Sequence, residues 1–300
     1  MNKKIVVVGS SNTDMVVKTN VFPKPGETVI GESFMMNQGG KGANQAVAAA
    51  RMGGDVTFIS KVGSDFLGAK SIELYEKEEI NTDYISVDEV SLSGVAFITI
   101  DSKGENSIIV APGANASLLK ADIDKALHVI ENADLILMQC EIPIKTVEYV
   151  VDIAHEKGVK VILNPAPAQV LSDELIRKLY LIVPNEIEAE VLSGVKILDW
   201  DTAKKAAESL CLRGVDNVII TLGSMGALVK QGDSYTEVPA IKVKAVDTTA
   251  AGDTFCGALT VALATGKSMI EAVRIANKCS SISVTRMGAQ NSIPYKEELV

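Results

Sequence analysis

Residues 134–164 read DLILMQCEIPIKTVEYVVDIAHEKGVKVILN, and this stretch decides the fold class. A short unbroken apolar run, DLILMQ, is followed by a helical pattern, TVEYVVDIAHEKG, that stops at a glycine. A second apolar run, VKVILN, comes next. Strands buried on both faces read as continuous apolar runs, and parallel pairing needs a crossover such as a helix between them. The same punctuation continues through SDELIRKL, LIVP, EIEAEVLSG, DTAKKAAESLCLRG and NVIITLG. Towards the N-terminus it includes KIVVVG, AVAAARMGG, VTFIS and FLGAKSIELYEKE, and the chain closes with the helical patterns TFCGALTVALATG and SMIEAVRIANKCSSISV. Repeated βαβ units imply an α/β protein with a mostly parallel sheet covered on both faces.

Two stretches lack a crossover helix. Residues 13–37 alternate around a Pro/Gly turn, and residues 93–111, SGVAFITIDSKGENSIIVA, read as a hairpin. They are expected to form a small antiparallel sheet standing off the main one. No linker, low-complexity segment or internal repeat divides the chain, so residues 1–300 are read as a single domain.

Composition narrows the function. No apolar run approaches the ~20 residues of a membrane span, and the N-terminus MNKKIVVVGSSNTD reads as a first strand rather than a signal, so a cytoplasmic protein is expected. The formal net charge of -9 argues against nucleic acid or an anionic membrane as a partner. Cys140, Cys211, Cys256 and Cys279 are far apart in apolar segments, which points to buried thiols rather than bridges or a zinc site. His128 and His155 fall on polar helix faces, so the base of any enzyme here is expected to be a carboxylate.

Ligands of open parallel sheets bind outside the carboxyl ends of the strands. Polar residues and glycines gather at these ends: Ser10 to Asp14, Cys140 with Glu141, Asn164, Asn185 with Glu186 and Glu188, and Gly223 to Gly226. The run GSSNTD is not a dinucleotide fingerprint, and Gly266-Lys267-Ser268 lacks the first glycine of a Walker loop, where Val261 stands. That GKS is read as a helix stop. The run DTTAAGDTF, Asp247 to Phe255, offers another device for phosphate. An aspartate cap on a tight turn would leave the same pattern. Yet Ala250, Ala251 and Gly252 have little bulk, and their amides at a helix start suit the charge on transferring phosphoryl oxygens. Asp253 then stands as a proton acceptor, while Asp247 with Thr249 suits a hard cation. In NQGGKGANQAVAAA, Gly39 and Gly40 allow close backbone approach. Lys41 and Asn44 join Asn12, Asp14 and Glu141 as a set able to bind a polyol.

These residues also carry a resemblance. The GGKGANQAVAAARMGG and DTTAAGDTFCGAL runs, with VILNPAPA, PNEIEAE, ITLGSMGA and TRMGAQNS in order, resemble the ribokinase (phosphofructokinase-B) family of carbohydrate kinases over essentially the whole chain. The resemblance implies a three-layer, doubly wound ribokinase-like fold, with the stand-off strands as a lid that closes the sugar site and pairs two subunits. It implies ATP-dependent phosphorylation of D-ribose on its 5-hydroxyl, with Mg2+ and a monovalent cation, usually K+. By the same resemblance Asp253 is the base and the amides of Ala250, Ala251, Gly252 and Asp253 form the anion hole. Asn12, Thr13, Asp14, Gly40, Lys41, Gly42, Ala43, Asn44 and Glu141 lie around the sugar. Asn185 and Glu188 lie near the phosphates and Mg2+, and Thr221, Leu222, Gly223, Ser224, Met225, Gly226 and Asn277 lie along ATP. Asp247, Thr249, Ser283, Arg286, Gly288 and Ser292 surround the monovalent cation, some through backbone carbonyls. Ala250 stands where the wider family usually has glycine. The rival readings are a sister kinase for deoxyribose, fructose or a nucleoside, and a sugar-binding regulator without the reaction. The low aromatic content of 4% counts against a nucleoside pocket.

Overall fold

The computed structural model describes residues 3–299. The strands are β1 (Lys4–Val8), β2 (Asn12–Lys18), β3 (Ser33–Gly39), β4 (Asp55–Gly63), β5 (Ile85–Asp88), β6 (Gly94–Ile100) and β7 (Asn106–Ala111). They continue as β8 (Leu135–Met138), β9 (Lys160–Leu163), β10 (Leu181–Ile182), β11 (Asn217–Thr221), β12 (Gly226–Gln231) and β13 (Ser234–Pro239). The helices are α1 (Lys41–Arg51), α2 (Phe66–Lys77), α3 (Lys120–Asp124), α4 (Leu127–Glu131) and α5 (Ile144–Lys157). After them come α6 (Asp173–Ile176), α7 (Glu186–Ser193), α8 (Trp200–Leu212), α9 (Ala251–Ala264) and α10 (Met269–Ser283).

The main sheet has nine strands in the order β13-β12-β11-β10-β9-β8-β1-β4-β5. It is parallel from β11 to β5. Alternate strand residues face opposite sides. Val7, Phe58 and Leu137 pack under α1, α2, α9 and α10, while Val8, Ile136 and Met138 pack under the layer of α3 to α8. The chain leaves β1 towards β4 on one side and returns through β8 on the other, so the strand order reverses at β1. That is where a doubly wound sheet opens a crevice.

The edge differs from the sequence reading, which passes from NVIITLG directly to the closing helices. Here β12 and β13 form an antiparallel hairpin on β11, turning at Gly232, whose φ is 55°. No crossover helix separates these strands, so the βαβ rhythm could not register them. The expected helix over SDELIRKL shrinks to Asp173–Ile176. The GKS stretch is a helix stop followed by a start: Gly266 turns with φ 84° just beyond α9, and Ser268 caps α10. Cys140, Cys256 and Cys279 are buried free thiols, and Cys211 is half-buried.

The stand-off strands form a separate sheet in the order β3-β2-β6-β7. It is mixed rather than antiparallel, because β2 and β6 run parallel, with Asn12 opposite Gly94. Only Gly9, Ser10 and Ser11 join β1 of the main sheet to β2 of the small one.

One close approach fixes α9 against α1. A Cβ on Gly257 would lie 2.5 Å from the Ala48 Cβ and 2.7 Å from the Gln45 carbonyl oxygen. Gly257 sits one turn after Asp253, so this contact also sets the depth of that acid. Gly257→Ala is expected to destabilise the protein by about 1–3 kcal/mol through overpacking. A denaturant midpoint equal to that of the parent would refute the tight crossing.

Candidate active site

A cavity of about 190 Å3 opens at the carboxyl ends of the strands, lined by Lys41, Asn164, Asn185, Glu188, Thr221 and Thr248 and by Ala250 to Asp253. Its floor is the start of α9. Ala250 takes a left-handed conformation, φ 58° and ψ 11°, and no side chain caps the helix. The Ala251 amide bonds to the Thr248 carbonyl, which leaves the next amides, of Gly252 and Asp253, for a ligand. A Cβ on Gly252 would meet no atom within 4 Å, so it would project into space that a phosphoryl group could use. An uncapped N-terminus with clear space before it suits an anion. The αL alanine costs roughly 1–2 kcal/mol, a strain of the kind found at functional sites.

Asp253 is buried, and both its oxygens are held. Asn44 Nδ2 donates to Oδ2 at 2.9 Å, and Gln45 Nε2 donates to Oδ1 at 2.9 Å. Burial raises its carboxyl above the ordinary range, while Lys41 and the two amide donors pull it back. Lys41 faces the opposite balance. Burial would push its ammonium down, but Asp253, Glu141 and Glu188 together hold it above its usual value.

The expected sugar set comes together in part. Glu141 Oε2 accepts from the Ser10 hydroxyl at 2.6 Å and from the Lys41 amide at 3.0 Å, tying the ends of β1, β8 and α1. Asp14 is buried beside Glu141 and Asp253, and burial with these neighbours raises its pKa to about 7 against the pull of Lys41. Gly40 has φ 87° where α1 begins, close to the Asn12 amide. Asn12 does not have its whole amide free. Its Oδ1 accepts from Asn115 Nδ2 at 2.7 Å, leaving the amide N–H groups as the available donors. Three expected sugar residues offer no side chain to such a ligand. Thr13 alternates to the opposite face of β2 from Asn12 and Asp14. Gly42 is a packing glycine, since a Cβ there would lie 2.5 Å from the Gly9 carbonyl carbon. Ala43 is core, with its amide bonded to the Ser10 carbonyl.

The family model for pfkB family carbohydrate kinases matches residues 2–296. The chain belongs to the pfkB family of carbohydrate kinases. It is 45% identical over 298 residues to a ribokinase of Haemophilus influenzae, covering 99% of this chain and 97% of that one. It is 38% identical over 295 residues to a deoxyribokinase of Salmonella typhi, covering 98% of this chain and 96% of that one. The structure of Arabidopsis thaliana ribokinase complexed with ribose and ATP superposes with a TM-score of 0.93 at 33% identity, covering 100% of this chain and 98% of that one.

Of the residues expected near the nucleotide, Asn185 and Glu188 form a reciprocal capping box at the start of α7. Burial raises the Glu188 carboxyl, with the Asn185 amide and Lys41 opposing. Thr221 lines the cavity beside them, bridged to Asn185. Gly223 and Ser224 form an exposed turn, and Gly226 closes it with φ 114°. Leu222 is buried in the core and Met225 packs against it, so neither side chain is offered to a ligand. Asn277 lies at the outer edge, donating to the carbonyls of Val238 and Pro239 at 3.4 and 3.3 Å.

The expected cation residues also converge. Asp247 accepts from the Thr249 amide and hydroxyl and from the Gly288 amide. Burial works against its charge, but these hydrogen bonds outweigh it and hold the carboxyl below the ordinary range. The Ser283 and Ser292 hydroxyls bond to one another at 2.8 Å. The side chain of Arg286 pairs with Glu298 instead of joining the group.

The site also contains side chains that the sequence reading did not single out. Gln45 touches the acid, Gln139 touches Gln45, and Asn115 holds Asn12.

The raised Asp14 carboxyl yields a test of this acidic cluster. Its folded pKa lies above its unfolded value, so its contribution favours the fold at low pH and is lost as pH rises from 3.8 towards 7. Asp14→Asn should therefore stabilise the ligand-free kinase at pH 8, by up to about 4 kcal/mol, measured by denaturant unfolding. A variant less stable than the parent at pH 8 would refute the electrostatic account.

Proposed function

We propose that this kinase transfers the γ-phosphoryl group of ATP to the 5-hydroxyl of D-ribose. The observation that carries the reading is Asp253, a buried carboxylate held by Asn44 and Gln45 in the first turn of an uncapped helix beside a polyol-binding set. The likeness to a ribokinase complexed with ribose and ATP supplies the sugar and the donor.

In this reading Asn12, Asp14 and Lys41 orient the sugar so that its 5-hydroxyl reaches Asp253. The carboxylate takes the hydroxyl proton as the oxygen attacks phosphorus. A weak base suffices because the proton becomes acidic only as the bond to phosphorus forms. The Gly252 and Asp253 amides, with the Lys41 ammonium, receive the charge that develops on the phosphoryl oxygens. Thr221, Gly223, Ser224 and Gly226 lie along the nucleotide, with Asn277 at its far edge.

The donor sets fit the expected cations. Mg2+ usually binds through one or two carboxylates, substrate phosphates and retained waters. Glu188 beside the cavity suits that role, and the ion would draw charge from the β- and γ-phosphates. Asp247, the Ser292 hydroxyl and the turn 283–288 offer only oxygen ligands for a monovalent ion such as K+, next to the segment that shapes the cradle. The backbone of Thr249, Ser283, Arg286 and Gly288 supplies the remaining ligands in this reading.

The small sheet is the lid and the dimer interface. Phe34, Met36, Phe97 and Ile109 share one face of it, and β7 is exposed along its whole length. An apolar face with an open strand edge invites a second copy. ATP as donor and free thiols suit the cytoplasm, and no described helix is long and apolar enough to cross a membrane. The deoxyribokinase relative keeps 2-deoxyribose as the second reading.

Asp253→Asn is expected to lower kcat by about 10²–10⁴-fold while ribose binding persists. Unchanged kcat would remove the base. With Mg2+ and K+ present, ATP consumption should be fastest on ribose, and 2-deoxyribose winning the side-by-side assay would shift the reading to the sister activity. Activity should fall on replacing K+ with a large organic cation, and an equal rate would leave Asp247 as a turn residue only.

A further inference from the structure

We propose that Gln45 is a positioning residue for the base, its amide locked from behind by Gln139 so that one oxygen of Asp253 is fixed and the other faces the substrate. The inference rests on the reading of Asp253 as the base. Gln45 is fully buried, and it is not among the residues lining the cavity. Its Nε2 donates to Asp253 Oδ1 at 2.9 Å and to Asn164 Oδ1 at 3.0 Å, and its Oε1 accepts from Gln139 Nε2 at 2.7 Å. Both amide protons and the carbonyl are therefore in use.

The orientation is forced. Asn164 spends its own Nδ2 on the Val183 carbonyl at 2.9 Å, so it presents an oxygen to Gln45. A flipped Gln45 would set its carbonyl against that oxygen and the carboxylate, and its N–H groups against the Gln139 amide nitrogen. Gln139 is itself fully buried, and its amide is held through Nε2 alone. It fits only because position 9 is glycine: a Cβ there would lie 2.1 Å from Gln139 Oε1.

Asn44 differs in kind. It donates to Asp253 Oδ2, and its own buried Oδ1 has no partner in the protein. With no partner on that oxygen, nothing fixes the Asn44 amide from behind, so the Asn44 contact can loosen when substrate arrives. The Gln45 contact cannot. Oδ1 is thus the anchored oxygen and Oδ2 the one that meets the proton.

The charged and titratable groups facing Asp253 are Lys41 on α1, Asp14 on β2, Glu141 after β8, Glu188 on α7 and Cys256 on α9. None of them is altered when Gln45 is replaced. A hydrogen-bond donor lowers the pKa of a carboxylate, and its removal raises it. In Gln45→Met, which keeps the length of the side chain and loses both donors, kcat should fall about tenfold. The acid limb of the kcat–pH profile should move to higher pH, and KM for ribose and for ATP should stay within about twofold of the parent. A purely structural role would lower the melting temperature and leave the pH limb in place, and that result overturns the proposal. Asp253→Asn, assayed alongside, separates the two claims. Full activity in Asp253→Asn removes the base and Gln45 with it, whereas loss there with an unmoved limb in Gln45→Met rejects Gln45 alone. Should Gln45→Met fail to fold, the unaltered enzyme still decides by NMR. The Gln45 side-chain amide protons should exchange slowly and titrate together with the acid limb, and fast exchange without titration overturns the assignment.

Discussion

The crossing of α1 and α9 at Gly257 is the constraint from which the site follows. With no side chain at that position, the backbone of α1 and the Ala48 methyl come within contact of α9. One turn back, the same geometry seats Asp253 against Asn44 and Gln45, some 209 and 208 residues away in the chain. In the proposed reaction the sugar side enters on α1 and the phosphate side on α9, so two packed helices would bring donor and acceptor together. Packing on the main sheet holds both helices by their apolar faces, through Ala46, Val47 and Ala49 on one and Phe255, Ala258 and Leu259 on the other. Small side chains dominate the interface, and their task is close approach rather than area.

Charge works against the fold at the same place. Asp14, Glu188 and Asp253 are all buried and all raised, with the half-buried Glu141 beside them and Lys41 as the central cation. Desolvation of several acids around one ammonium is costly unless hydrogen bonds replace the lost water. For three of them the structure supplies these from amides and one hydroxyl: Asn44 and Gln45 for Asp253, the Asn185 amide for Glu188, and the Ser10 hydroxyl and Lys41 amide for Glu141. Amides give a carboxylate direction without adding countercharge, so the acids remain able to act on a ligand.

The parts legible in the sequence are those whose chemistry is local. AAGD announces its cradle because bulk is missing from consecutive positions. The crossover helices announce a parallel sheet because their period and stop glycines lie next to the apolar runs. Asp253, Lys41 and Glu141 could be placed together because all three follow strands or open helices at one edge. Gln45 was in view as the residue after Asn44, yet its meaning depends on Gln139, 94 residues away, and a glutamine behind a strand reads as an ordinary polar end. Asn115 sits in an unremarked turn and matters only because Asn12 lies 103 residues before it. Thr13 stands between Asn12 and Asp14 in the sequence, but strand alternation turns its side chain the other way. The β12–β13 hairpin was hidden for a related reason: a reading tuned to crossovers has no register for a two-residue turn.

The polar groups of the site lie on two sheets with a seam between them. Asn12 and Asp14 ride on the small sheet, Asp253 on the body, and only Gly9 to Ser11 connect β1 to β2. In the proposed reaction a sugar spans that seam and stitches the halves together with its hydroxyls. Water, small enough to reach Asp253 unaided, cannot stitch anything. In that reading the division of labour between the sheets would protect the nucleotide from idle hydrolysis, because the hydroxyls that bridge the seam arrive only with the molecule that is meant to receive the phosphate.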